Sequence, residues 1–214
     1  YVVIDKEPDG IVPESNNPTL QRSNSLKRIA LSYDESLKAL KEAEDNDFIM
    51  LSDNDEIPNL NSMQFINNKS DIVLFNQLFF YYKFNLLYDK MIWPGTKGCK
   101  KKKLKSLSWL RNIKLKKYPF WRLDTLFSHT KYININVIKN GGWHFTNMKT
   151  PEEMYEKFMN FGHHDEFRLS GITVEKIREK ISNKEMFYDH FADKSSANKW
   201  ESNYKLKLLN EKIL

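Results

Sequence analysis

Three carboxylates crowd into four positions directly after a short apolar run in this sequence. The segment FIMLSDNDEIPNL, residues 48–60, passes from four apolar residues to Asp53, Asp55 and Glu56. Like charges at this spacing repel each other, so something must offset them. Two carboxylates one residue apart at a strand end can converge on a hard divalent cation, Mn²⁺ or Mg²⁺, which would neutralise a diphosphate leaving group. We therefore predict a metal site at Asp53 and Asp55, the alternative being a solvated acidic turn.

A second stretch with ligand-binding chemistry is NGGWHFTNM, residues 140–148. Gly141 and Gly142 permit close approach of the backbone to a ligand, or a turn with positive φ. Trp143 offers an apolar face on which a sugar ring could stack, and His144 offers a hydrogen-bond donor to a phosphate or hydroxyl group. The alternative is a tight turn beside a core tryptophan.

A third stretch, GHHDEF at residues 162–167, could supply a general base. Its candidates are His163, His164, Asp165 and Glu166. A carboxylate beside an apolar wall has its pKa raised toward that task. The alternative is a solvated loop.

Elements that alternate along the chain must position these stretches. Apolar residues from Leu26 to Leu40 recur at three- and four-residue steps and predict an amphipathic helix over residues 19–44. Apolar or alternating runs predict strands at DFIML, DIVLF and YININVI, residues 47–51, 71–75 and 132–138. Because ligands collect at the carboxyl ends of strands in α/β sheets, the first of these strands would present the carboxylates.

Helix signals are clearest in the second half of the chain. Thr150, Pro151 and Glu153 have the order of an N-cap, an N1 proline and the last member of a capping box. The buried face of this helix would consist of Met154, Phe158 and Phe161. A shorter helix is expected over residues 173–181. Residues 89–118 look like a basic connection, and the chain after Ser195 like a loosely held helix.

Composition limits the classes of function. The 214 residues, 40% of them hydrophobic, can form a sizeable core. Cys99 is the one cysteine, which excludes an internal disulfide and a cysteine-based zinc site. The net charge of +6, concentrated at Lys97 and residues 100–105, suits a polyanionic or phosphorylated ligand. We expect no membrane span, because no run of 18 apolar residues occurs, and no Walker or dinucleotide site, because no glycine-rich phosphate loop occurs.

Together, these motifs resemble glycosyltransferase family 17, the family of the enzyme that adds a bisecting N-acetylglucosamine to glycoproteins. The similarity covers about residues 20–182 and follows the family's order of motifs, which here are QRSN (21–24), LSDNDEIP (51–58), WPGTK (93–97), LR (110–111), GGWHF (141–145) and HDEF (164–167). The pairing of Asp-x-Asp-Glu-Ile-Pro with Gly-Gly-Trp-His makes the resemblance specific.

The resemblance implies an α/β fold of the GT-A type: a Rossmann-type mixed sheet flanked by helices in a single domain. We expect this domain over residues 1–182, followed by a helical or polar tail over residues 183–214. The family's first strand, which contacts the nucleotide, is expected to be absent or abbreviated here. The implied location is the cytoplasm for a microbial or viral source, or the Golgi lumen for an anchored eukaryotic member.

The implied activity is inverting transfer of a sugar from a nucleotide-sugar donor, UDP-GlcNAc, to a glycan or glycoprotein acceptor, with Mn²⁺ or Mg²⁺. Glu166 would be the catalytic base, and Asp53 and Asp55 would hold the metal and the diphosphate. Further residues would line the donor or the acceptor and sugar wall, namely Glu56, Trp93, Gly142, Trp143, His144 and His164. Two alternatives stay open: a polyanion- or nucleic-acid-binding module that uses residues 100–105 with Trp93 and Trp109, and a metal-dependent nucleotidyltransferase or phosphotransferase.

Overall fold

The computed structural model describes residues 2–12, 17–116, 118–160, 164–192 and 197–209. Helices and strands are interspersed, so this is a mixed α/β protein, as the sequence patterns predict. The α-helices are α1 Pro18–Ser36, α2 Met63–Ile66, α3 Leu107–Asn112, α4 Asp124–Phe127, α5 Pro151–Asn160, α6 His164–Ser170 and α7 Val174–Ser182. The strands are β1 Phe48–Leu51, β2 Glu56–Pro58, β3 Ile72–Tyr81, β4 Leu86–Leu87, β5 Trp93–Lys100, β6 Ile135–Ile138, β7 Gly142–Thr146 and β8 Lys207–Leu208. Short 3₁₀ turns occupy Leu37–Leu40, Lys101–Lys103 and Ala197–Trp200.

The described residues group into two units. The first takes its residues from Tyr1–Ile11, Lys27–Leu78 and Ile92–His144, and the second from Val12–Leu26, Phe79–Met91 and Phe145–Leu214. The boundary expected at residue 182 lies inside the second unit. The helical or polar tail expected over residues 183–214 is described only in part, because residues 193–196 and 210–214 lie outside the described chain.

In the first unit, strand β5 pairs antiparallel with both β1 and β3, and β6 pairs parallel with β3. Strand β2 pairs antiparallel with β7. Helix α3 covers this sheet with Leu110, and the following Ile113 joins it in the core. The buried core cluster contains Ile72, Leu74, Cys99, Leu110, Ile113 and Ile135.

The predicted strand β1 is confirmed, and Asp53 follows its carboxyl end, although only Ile49 of this strand is buried and its partner β5 runs antiparallel. The prediction of a basic connection over residues 89–118 is wrong. The expected connection contains β5, whose proline, two glycines and lysines are poor strand formers. Pairing on both sides overrides that preference, and Pro94 lies opposite Asn76, where the register shifts.

Helix α1 forms as predicted but ends at Ser36, and its expected apolar face is not buried. Leu26 and Ile29 are 59% and 47% exposed. The buried residues are Asn24, whose amide exchanges hydrogen bonds with the backbone of Val12, and Glu35, which pairs with lysines. Polar contacts rather than an apolar stripe therefore hold this helix.

In the second unit, the last part of β3 pairs antiparallel with β4, and β4 pairs with β8. The capping box of α5 is confirmed: Thr150 N–H donates to Glu153, and Glu153 N–H donates to Thr150 Oγ1 at 3.2 Å. Helix α7 is also confirmed and begins after its N-cap Thr173. The expected Phe161 contact lies outside the described residues.

The prediction of a loosely held helix after Ser195 is wrong. Trp200 is 5% exposed and its ring contacts those of Phe158, Phe167 and Phe187. Burial of such large rings outweighs the polar character of the flanking sequence. The end of the described chain is therefore part of the core of this unit.

Candidate functional site

The acidic segment after β1 is a tight turn into β2. The N–H of Glu56 donates to the carbonyl of Asp53 at 3.1 Å, and the N–H of Asp53 donates to the Glu56 carboxylate at 3.2 Å. Ser52, at the start of the turn, has its hydroxyl 2.6 Å from that of Thr96 on β5. These bonds fix the backbone of the turn.

Arg111, near the end of α3, offsets the first carboxylate. Its two terminal nitrogens each donate to one oxygen of Asp53 at 2.7 Å, in a bidentate fork. Burial acts to lower the pKa of Arg111, but the hydrogen bonds and charge of Asp53 more than offset it, so this pKa is raised. Arg111 is a site residue that the sequence did not predict, because no spacing pattern links it to a partner 58 positions away.

The second carboxylate, Asp55, faces His144 of β7, with Oδ2 3.3 Å from Nε2. His144 is buried and stacks on the indole of Trp93, with ring centroids 4.3 Å apart and planes 10° from parallel. Trp93 Nε1 in turn donates to Glu56 at 2.7 Å. Glu56 also lies opposite His144 in the β2–β7 register. The structure therefore brings together four of the predicted residues: Asp55, Glu56, Trp93 and His144.

Glu56 is a buried carboxyl group at this site. Burial raises the pKa of Glu56, while the hydrogen bonds from Trp93 and from the backbone of Asp53 act to lower it, and the net direction is upward. A carboxyl group whose pKa is raised is a stronger base when it is ionised. The sequence predicted Glu56 as part of the acceptor or sugar wall, and its burial adds the role of a base to consider.

Beside Glu56 lies a cavity of about 200 Å³ that contains both cationic and aromatic groups. Lys97 of β5 reaches it and donates to the carbonyl of Ile113 at 2.8 Å and to that of Arg111. Burial and then the charge of Arg111 lower the pKa of Lys97 to about 8. The lining residues are Leu51, Glu56, Trp93, Pro94, Gly95, Lys97, Arg111 and Asn112.

The two glycines of the NGGWHF stretch serve backbone packing. Gly142 has φ +105°, and a Cβ there would lie 2.1 Å from the carbonyl oxygen of Ile57. A Cβ on Gly141 would lie 2.5 Å from the carbonyl oxygen of Asn76. Both glycines thus allow close approach to neighbouring strands, which leaves the expected contact of Gly142 with a sugar as a prediction.

Trp143 does not line the cavity. It follows Gly142 on β7 and lies opposite Ile57, so its side chain leaves the strand on the face opposite to that of His144. The structure therefore separates the two neighbours that the sequence grouped as one ligand wall.

His164 and Glu166 belong to the second unit and have local partners. The Nε2 atom of His164 lies 2.6 Å from Oε1 of Gln21, and Glu166 pairs with the buried Lys199 and with Arg22 at 3.8 Å. Gln21 and Arg22 are part of the QRSN motif, so two motifs of the family resemblance contact each other here. His163, the extra histidine, lies outside the described residues.

The basic run at residues 100–105 is tied to acidic and carbonyl groups nearby. Lys102 donates to Asn46 at 2.9 Å, and Lys100 and Lys103 lie within 3.8 Å of Asp71. The indole N–H of Trp109 donates to the backbone carbonyl of His129 at 2.7 Å. These contacts favour a structural role for residues 100–105 over a role in binding nucleic acid.

The carboxylates of the turn are of the type that a divalent cation prefers, but both oxygens of Asp53 already accept hydrogen bonds from Arg111. Asp53 and Asp55 have side chains 35% and 32% exposed, and Mg²⁺ or Mn²⁺ is often bound by two carboxylates plus substrate phosphates and water. Among the described residues, no group of three or more histidine, cysteine or acidic side chains could enclose a metal. A metal bound by Asp53 and Asp55 would therefore need further oxygen atoms from substrate phosphates or from water.

Comparison of the chain with protein-family models, with curated proteins and with solved structures finds no match. A function is therefore inferred from the motifs and from the geometry of the first unit. No helix in the described part of the chain is long and apolar enough to cross a membrane.

Proposed function

We propose that this protein is an inverting glycosyltransferase that moves a sugar, N-acetylglucosamine being expected, from a UDP-sugar to a glycan or glycoprotein acceptor. One observation carries the proposal. The Asp-x-Asp turn after β1 lies against Arg111, next to a cavity that also contains Lys97, Trp93 and the buried Glu56. Paired carboxylates with cations suit a diphosphate, and the indole suits a sugar ring.

Each of these residues has a separate role in the proposed reaction. Arg111 and Lys97 would pair with the diphosphate oxygens, and a Mn²⁺ or Mg²⁺ held by Asp53 and Asp55 would supply further neutralisation of the leaving group. The acceptor oxygen bonds to the anomeric carbon as the bond from that carbon to the diphosphate oxygen breaks. The electron pair leaves on UDP, and a base takes the acceptor's hydroxyl proton. Inversion follows because the acceptor attacks the face of the anomeric carbon opposite to the leaving UDP.

Two carboxyl groups are candidates for that base. Glu166 occupies the position that the family resemblance indicates, but its charge is already paired with Lys199 and Arg22. Glu56 lies at the wall of the cavity with a raised pKa. We favour Glu56, because proton transfer requires a group within reach of the substrate, and because burial raises the pKa of this carboxyl group and so makes its ionised form a stronger base.

The first experiment is a thermal-shift screen with Mn²⁺ that compares UDP-sugars with nucleoside triphosphates, followed by a turnover assay with the donor that binds. We expect UDP-GlcNAc to stabilise the protein and Asp55→Asn to abolish both the shift and turnover. Asp71→Asn is the matched control, because Asp71 is also a partly exposed acidic residue with cationic partners.

Two results would contradict the proposal. Full turnover in excess EDTA would remove the metal from the mechanism. Stabilisation by nucleoside triphosphates alone, lost in Asp55→Asn, would instead support the nucleotidyltransferase or phosphotransferase alternative at the same carboxylates.

A further inference from the structure

A cluster of large apolar side chains faces solvent in the segment between α3 and β6. The side chains of this cluster are 68–86% exposed. On ordinary protein surfaces, exposed apolar residues occur singly and are scattered. We call this set the aromatic patch; it consists of Phe120, Trp121, Leu123, Leu126 and Phe127. Five such residues within eight positions call for an explanation outside the core of the unit.

The backbone that carries the aromatic patch is held in place by a buried tyrosine and by ion pairs. Tyr118 is buried, and the charged groups of Lys116, Arg122 and Lys131 lie 5.2–5.9 Å from the centre of its ring. Asp124, the first residue of α4, accepts hydrogen bonds from Arg122 and Lys131 at 2.7–2.8 Å. These contacts fix the backbone from which the patch residues project.

The charge around the patch is strongly positive. Residues 114–131 contain five lysines or arginines and one aspartate, a net charge of +4 with histidine neutral. Of these cations, Lys114, Lys116 and Arg122 are exposed. An anionic surface would therefore be attracted to the same place at which the apolar side chains are available.

We propose that the aromatic patch docks on the surface of a bilayer that contains anionic lipids. Trp121 and the two phenylalanines are of the residue types that accumulate at the boundary between headgroups and acyl chains. Lysines beside such residues are attracted to anionic headgroups. The cores of protein–protein interfaces, in contrast, are depleted in lysine, so a lipid surface suits this combination better than a protein partner does.

The test is co-sedimentation of the full chain with vesicles of phosphatidylcholine alone and with vesicles that also contain phosphatidylserine. We expect binding to the mixed vesicles, weak binding to phosphatidylcholine alone, and loss of binding as salt screens the charges. The double variant Trp121→Ser, Phe127→Ser should reduce partitioning by roughly tenfold or more, because both side chains would leave the acyl boundary. Its control is Leu169→Ser, Phe191→Ser, which removes two exposed apolar side chains of the second unit.

The charge contribution has its own pair of variants. Lys114→Gln, Lys116→Gln should weaken binding to mixed vesicles, whereas Lys102→Gln, Lys103→Gln removes equal charge elsewhere and should have a smaller effect. Circular dichroism and thermal melts check that each variant is folded.

Absence of binding to mixed vesicles at low salt overturns the proposal. Equal binding by the patch variant also overturns it, as does a patch-dependent dimer without vesicle binding, which would show a contact between copies of this chain.

Discussion

Arg111 holds Asp53 through two parallel hydrogen bonds of 2.7 Å, across 58 positions of sequence. The pair joins the end of α3 to the turn that follows β1. The Arg111–Asp53 pair also explains how the crowded carboxylates are tolerated. A guanidinium with a raised pKa stays charged beside them at all ordinary pH values. A diphosphate at the site would meet this cation and carboxylate together.

The fork geometry of Arg111 should matter more than its charge. Arg111→Lys keeps the charge but loses the two parallel bonds, so we expect the Kd for UDP to rise about tenfold. The free energy of unfolding should fall by only about 0.5 kcal/mol, since both partners are partly exposed. Calorimetry and thermal melts measure the two quantities. Arg28→Lys is the control, because Arg28 forms the same type of fork with the exposed Glu7; an equal loss of UDP affinity there would contradict a specific role for Arg111.

Binding of diphosphate should depend on pH through Lys97. The pKa of Lys97 is lowered to about 8, so its ammonium group is present below that pH and is lost above it. Since the charged form attracts the anion, UDP affinity should fall as pH rises through about 8, by roughly tenfold in total. Titration calorimetry with Mg²⁺ and UDP over a pH series measures this. In Lys97→Met the step should disappear, and in Lys100→Met, on the same strand, it should stay; a step unchanged in Lys97→Met would exclude Lys97 as its source.

The identity of the base can be decided by two isosteric variants. Glu56→Gln should lower kcat by about 100-fold or more, because the amide cannot accept the acceptor's proton. Glu166→Gln should instead lower the free energy of unfolding by about 3 kcal/mol, because it leaves the buried Lys199 without its anionic partner. Steady-state kinetics and chemical denaturation are measured on both. The reverse pattern, with kcat lost in Glu166→Gln and retained in Glu56→Gln, would restore Glu166 as the base.

Trp93 should tune the pKa of Glu56. The indole N–H bond to the carboxylate acts to lower this pKa, so Trp93→Phe, which keeps an aromatic ring against His144, should raise it further. Because a base must be ionised to act, the acidic limb of the kcat/KM profile should move to higher pH. The profile of Trp109→Phe, in which another hydrogen-bonded indole is removed, should keep its position. Identical limbs in wild type and Trp93→Phe would show that Glu56 does not set that limb.

Gly95 should be intolerant of any side chain. A Cβ there would lie 1.7 Å from Oε1 of Gln77, which is fully buried. Gly95→Ala should therefore destabilise the protein by roughly 2 kcal/mol through overpacking. Adding Gln77→Ala removes the clashing group, so the double variant should be more stable than the sum of the two single changes. Additive losses measured by urea denaturation would indicate that the clash is relieved elsewhere.

Local signals in the sequence were sufficient wherever neighbours in the chain are also neighbours in space. The capping box of Thr150 and Glu153 forms as predicted, and the helix expected over residues 173–181 begins after Thr173, because the hydrogen bonds at both helix starts span three residues. The turn at Asp53 and Asp55 was placed correctly after β1 for the same reason. In contrast, β5 was missed, because WPGTKGCK is extended only through its pairing with strands distant in sequence.

The order of residues by itself determined the helices α5 and α7, the acidic turn and the types of side chain available for chemistry. The tertiary structure alone decided which of them meet: Arg111 with Asp53, Trp93 between His144 and Glu56, and Glu166 with Lys199 in the other unit. These contacts join residues that are 33 to 58 positions apart in the sequence. They depend on strand register and helix packing, in which many weak contacts act together and leave no spacing pattern in the sequence.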